Sequence, residues 1–133
     1  MPFPYITALT TALVLLLQIV LAFAVSGGRG KLGTWIGDGG HASLQRATRR
    51  HANLAENAGL FMVGFALLEL SRFSPRLLVV LCAAFVVARL LHAAGLSREN
   101  TGNLLRIAGG VGTYLIGFVL AGALGWAAIA AGA

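Results

Sequence analysis

One short run holds the densest polar chemistry of the chain: Arg46-Ala47-Thr48-Arg49-Arg50-His51-Ala52-Asn53-Leu54-Ala55-Glu56-Asn57. Guanidinium groups bind carboxylates through paired hydrogen bonds. A carboxylate can take an ammonium group, and an amide can donate or accept. Brought together, these groups suit a small zwitterion carrying more carboxylate than ammonium. A second, apolar reactant could arrive through lipid. The combination points to a conjugating enzyme or a carrier of amphiphiles.

Convergence depends on helical periodicity. At about 100° per residue, Arg46, Arg49, Arg50, Asn53, Glu56 and Asn57 share an arc of about 120°. His51 and Glu69 fall on the other side, at about 140°. With a rise of about 1.5 Å per residue, Glu56 lies about 15 Å further along the axis than Arg46. Charge inside a bilayer is costly and faces a protein interior or a wet cavity. Glu56 therefore needs a cation. Arg89 and His92 stand at i and i+3 on a later segment. The expectation is a Glu56–Arg89 ion pair that keeps Glu56 ionised. On that reading Glu56→Ala strands a buried cation and costs roughly 3–5 kcal/mol. Plainer roles stand beside these. Arg46, Arg49 and Arg50 could anchor to lipid phosphates. Asn53 could join two helices, and Glu69 could pair with Arg72 at an interface.

The elements that must carry this stripe are set by composition. The chain has 133 residues, 58% apolar and only 11% charged. A soluble domain carries roughly 25% charged residues, and one soluble core of this length cannot hide so much apolar area. That excludes an ordinary soluble domain, a disordered chain and a nucleic-acid module. A bilayer core takes about 20 apolar residues per helix, and such stretches lie at about 5–25, 52–71, 77–96 and 107–130. The backbone must satisfy itself in lipid, so these are read as helices. The expected fold is all-α: one domain, 1–133, forming an integral membrane four-helix bundle.

Ala22-Phe23-Ala24 mimics a signal cleavage site, but Met1-Pro2-Phe3-Pro4 has no basic residue. The first span is therefore read as a retained helix. Arg29, Lys31, Arg46, Arg49 and Arg50 lie between spans one and two, and Arg98 and Arg106 between three and four. Only Arg72 and Arg76 lie between two and three, and both termini lack Lys and Arg. The positive-inside rule puts loops one and three in the cytoplasm, with both termini outside. Ser26-Gly27-Gly28-Arg29-Gly30 and Gly37-Asp38-Gly39-Gly40 read as a flexible linker without a nucleotide-binding pattern. Gly117, Ala121 and Gly125 form a small-residue stripe suited to close helix packing, within or between subunits. Trp35 and Trp126 read as interface or packing aromatics. Cys82 reads as apolar packing, and His41, His51 and His92 are too scattered to propose a metal site.

The segment Arg46-x-x-Arg49-x-x-x-Asn53-x-x-Glu56 resembles the second-helix signature of the MAPEG superfamily, membrane-associated proteins in eicosanoid and glutathione metabolism. Gly37-Asp38-Gly39-Gly40, Leu44-Gln45-Arg46 and His51-Ala52-Asn53-Leu54-Ala55-Glu56 are most similar to its bacterial branch, and Arg89-x-x-His92 resembles the third-helix pattern. The resemblance implies a homotrimer with glutathione, as co-substrate, bound between neighbouring subunits near the cytoplasmic face. It implies that Arg46, Arg49, Asn53 and Glu56 contact glutathione and that Arg29 comes from a neighbouring subunit. Arg89 would pair with Glu56 or line the site, with His92 beside it. Arg106 would be catalytic, stabilising the thiolate for attack on a lipophilic electrophile in a transferase- or peroxidase-like reaction. Leu96 and Asn57 occupy places where many eukaryotic catalytic members carry Tyr. A non-catalytic binder or a small multidrug-type carrier is the alternative.

Overall fold

The structure, a computed structural model, describes residues 3–100 and 102–132. Met1, Pro2, Thr101 and Ala133 lie outside the described residues, so the reading of the first two is not addressed. The chain is all-helical: α1 (Tyr5–Leu32), α2 (Ala42–Leu70), α3 (Pro75–Ser97) and α4 (Leu104–Gly132). α1 packs along α2, and α3 along α4, while α2 and α3 close the bundle between them. α1 also touches α3 and α4 touches α2, but α1 and α4 do not meet among the described residues.

α1, α3 and α4 are long and apolar enough to cross a membrane. α2 has the length but is more polar, carrying Arg46, Arg49, Arg50, Glu56 and Glu69, and is not among the three. The expectation of four helices is met, with the second more polar than the other three. A second expectation fails. Ser26 to Gly30 is not a linker, because α1 runs through it to Leu32 and ends at Gly33 with φ 63°. That left-handed turn suits a residue without Cβ, and the Gly33 N–H closes the helix on the Arg29 carbonyl. Helix is tolerated through these glycines because Gly28 faces α2; a Cβ there would meet Leu44 Cδ1 at 3.3 Å. The connection shrinks to a short turn in which Asp38 Oδ1 accepts from the Gly40 N–H at 3.0 Å.

The helix starts are fixed differently. Ser74 caps α3 by accepting from the Leu77 N–H, with Pro75 at its first turn. α1 begins after Pro4, which has no side-chain cap. Its free N–H groups are met from another helix: Glu69 accepts from Ile6 N at 2.9 Å and from Thr7 N at 2.8 Å. Glu69 therefore caps α1, and the expected Glu69–Arg72 pairing is replaced by this bond. The reason is electrostatic: a carboxylate beside a helix N-terminus meets both the orphan donors and the positive end of the dipole.

The core lies where α2 and α3 face each other. Phe65 and Phe85 are fully buried, with Leu54, Leu68, Leu78 and Leu81 around them. Phe61 stacks on Phe85 with centroids 4.4 Å apart, and Phe65 meets Phe85 edge-on at 5.8 Å. Large apolar side chains on α1 and α4 point outward, among them Leu9, Leu16, Phe23, Leu115, Phe118 and Ile129. Such surfaces fit lipid or another protein and not water.

Candidate functional site

The N-terminal half of α2, the C-terminal end of α3 and the first turns of α4 meet at one end of the bundle. There Gln45, Arg46, Arg49, Asn53, His92, Leu96 and Arg106 line a cleft of about 210 Å³. Five of the residues expected from the sequence are thus brought together: Arg46, Arg49, Asn53, His92 and Arg106. Residues 46, 49 and 53 recur at helical spacing, so one face of α2 presents all three.

α3 and α4 reach the cleft because two glycines let their backbones touch. A Cβ on Gly109 would come within 2.5 Å of the His92 backbone N and 2.6 Å of the Ala88 carbonyl. One on Gly95 would run into the Arg106 backbone N. Only hydrogen fits at either point, so His92 and Arg106 sit on adjacent turns of two closely packed helices. Asn103 secures the same junction. Its Nδ2 donates to the Gly95 carbonyl at 2.8 Å, and its Oδ1 accepts from the Arg106 N–H at 3.2 Å. The sequence reading missed Gly95, Gly109 and Asn103. An Asn just before a helical run is a start signal that could have exposed Asn103. The glycine pair leaves no such signal, since its two members sit on different helices.

Arg89 lies behind the cleft, only 3% exposed. Its Nη1 donates to Asn53 Oδ1 at 2.8 Å. Its Nη2 donates to the Gly109 carbonyl at 3.0 Å and to Thr113 Oγ1. The Thr113 hydroxyl in turn donates to the Gly109 carbonyl at 2.8 Å. The guanidinium carbon stands 5.8 Å from the centre of the Phe85 ring. Arg89 Nε has no partner among the described residues. The expected Glu56–Arg89 ion pair is therefore corrected. Neutral acceptors on α2 and α4 hold Arg89, and Glu56 is exposed on the surface of the bundle. The cause is angular: Glu56 lies about 60° further round α2 than Asn53, and only Asn53 faces α3.

Arg29 lies outside the cleft. It is half-buried near the end of α1, with Nη1 donating to the Trp35 carbonyl at 2.9 Å. His51, on the far side of α2, meets the Gln18 side-chain amide of α1 at 2.8 Å and so serves helix packing. Of the Gly117–Ala121–Gly125 stripe, only Gly117 packs within the bundle, where a Cβ would meet the Phe61 ring of α2 at 3.3 Å. Ala121 and Gly125 are exposed, and a Cβ on Gly125 would meet nothing within 4 Å.

Chemically, the cleft is lined by three arginines, a histidine and two amides, with exposed apolar side chains running away from it along the bundle. That arrangement suits an anion with carboxylate groups, next to a lipid-facing wall. A model of the MAPEG family matches residues 7–126. The chain belongs to the MAPEG family. No curated protein matches it. Membership makes it a membrane protein of the group concerned with eicosanoid and glutathione metabolism.

Proposed function

We propose that this MAPEG protein binds glutathione in the Arg46–Arg49–Asn53–His92–Arg106 cleft and uses it against lipophilic electrophiles, as a transferase or peroxidase. The observation that carries the reading is the convergence of three helices' donors on one cleft in a chain of this family. Arg46 and Arg49 hold carboxylates of the tripeptide, and Asn53 adds a hydrogen bond. Glu56, one turn on and exposed, takes the ammonium group. Arg29 completes the site from a neighbouring subunit of a homotrimer. The cleft end of the bundle faces the cytoplasm of an inner-membrane protein, since the basic loops lie there.

Arg106 carries the chemistry. A thiol ionises with a pKa near about 8.5, and the thiolate is the nucleophile. A guanidinium beside the sulfur stabilises the anion and raises its share at neutral pH. Sulfur then forms a bond to the electrophilic carbon of an epoxide or enone, and the displaced electron pair is protonated from solvent. His92, next to Arg106 on the α3–α4 junction, is placed to orient either partner.

The test is a titration of the purified protein with glutathione, following thiolate absorbance at neutral pH. Saturable thiolate formation above the solution level is expected, with binding retained and thiolate lost in Arg106→Ala. Binding without thiolate would reduce the protein to a binder, in keeping with Leu96 and Asn57 where relatives carry Tyr. A proton-coupled carrier needs an available acid buried in a span. Glu56 is exposed and Glu69 is engaged as a cap, so no observation favours that alternative.

A further inference from the structure

We infer that Arg89 is a positioning residue that fixes the polarity of the Asn53 amide, so that Asn53 offers the cleft a hydrogen-bond donor and selects an acceptor on the ligand. This deepens the glutathione reading and rests on it for the identity of the ligand.

A primary amide has one accepting and one donating end, and in isolation it can present either. A guanidinium has no accepting atom. The end of Asn53 that meets Arg89 Nη1 at 2.8 Å must therefore be the oxygen, whichever way an isolated amide would turn. Rotation would set N–H against N–H and leave a buried charge short of an acceptor, a costly state.

Arg89 is itself unable to move away. The Gly109 carbonyl and Thr113 Oγ1 of α4 hold Nη2, and the Thr113 hydroxyl is committed to Gly109. A chain from α4 through α3 thus sets the orientation of one amide on α2. The Asn53 Nδ2 group, facing away from Arg89, makes no hydrogen bond among the described residues, and Asn53 lines the cleft.

The consequence is a cleft biased toward donation. Arg46, Arg49 and Arg106 can only donate, and Asn53 is made to do the same. Among the described residues lining the cleft, only Gln45 and His92 have other side-chain atoms able to accept. The ligand group lodged against Asn53 is then a carboxylate or carbonyl oxygen and not an amine or a hydroxyl acting as donor.

Asn53→Asp separates this role from a structural one. The carboxylate keeps an acceptor for Arg89 and gives that buried cation an anionic partner, but removes the donor from the cleft. The full-length protein in detergent micelles is measured for thermal unfolding and for binding of two probes, glutathione and the plain dicarboxylate glutarate. Asn53→Asp is expected to melt no lower than the unchanged protein, while binding of each probe weakens about tenfold or more. Asn53→Ala is expected to melt lower and to weaken binding less than Asn53→Asp.

Asn53→Asp binding both probes as tightly as the unchanged protein would overturn the inference and leave Asn53 as a helix joint. If the unchanged protein binds glutarate and not glutathione, the glutathione reading fails, and the glutarate affinity of Asn53→Asp still decides the amide's polarity. Binding of neither probe would overturn both.

Discussion

A guanidinium buried to 3% exposure and met by an amide, a carbonyl and a hydroxyl has no carboxylate among its hydrogen-bond partners. A hydrogen bond to a charged group contributes about 1.5–3 kcal/mol, and an unsatisfied buried charge costs at least as much. Asn53→Ala should therefore destabilise the subunit by roughly 1.5–3 kcal/mol. Glu56→Ala, at an exposed position, should change it by no more than about 0.5 kcal/mol. Unfolding by SDS in mixed micelles measures both. A larger loss for Glu56→Ala would restore the carboxylate as Arg89's partner. The sequence made Arg46, Arg49 and Asn53 legible as one face because helical periodicity is a backbone property. It misassigned the partner of Arg89 because a shared arc does not say which edge of the arc meets the neighbouring helix. That choice is made by how α2 lies against α3 and α4.

At the scale of the elements, the α3–α4 junction is held by contacts that spacing along one helix cannot reveal. Gly117, Ala121 and Gly125 have a regular spacing on α4, but Ala121 and Gly125 look outward, and only Gly117 lies against another helix, at Phe61 of α2. Gly95 and Gly109 lie on two different helices and carry the close approach. Gly109→Ala would drive a methyl group into the backbone of α3, where no flexible side chain can yield. It should cost about 1–3 kcal/mol or more and loosen His92 relative to Arg106. Gly125→Ala, with open space around it, should be close to neutral in the subunit. The same micelle unfolding series compares them, and equal losses would mean that the junction is not close-packed. Glu69 gives the parallel lesson for long-range caps. Its target N–H groups lie on another helix, 62 and 63 residues away, so i, i+3 reasoning found Arg72 instead. Glu69→Ala should cost about 1–2 kcal/mol through the lost cap, with fraying confined to the first turns of α1. Hydrogen exchange at Ile6 and Thr7 reads this out. Unchanged protection there would count against the cap.

At the scale of the whole molecule, the four-helix architecture was readable because apolar run length dictates helix number in a bilayer. The helix ends were not. α1 continues through the glycines into Leu32, and α2 starts at Ala42, so much of the expected basic loop is helix. This places Arg46 and Arg49 on a rigid element and not on a mobile connection. In lipid, transfer of apolar surface gives little drive for helix association, so close packing and buried polar bonds take its place. The Arg89–Asn53–Thr113–Gly109 cluster and the glycine junction supply both at the end of the bundle where the cleft lies. Large apolar faces remain on α1 and α4, which do not meet each other. They leave room for lipid and for the neighbouring subunits of the proposed trimer.

The account stands on the cleft as a ligand site, and a structure determined with glutathione bound tests it most directly. The predicted result is the tripeptide between Arg46, Arg49 and Asn53, with its sulfur beside Arg106 and the Asn53 amide nitrogen on one of its carboxylate or carbonyl oxygens. Glutathione bound elsewhere, with these arginines turned out to lipid phosphates, would contradict it.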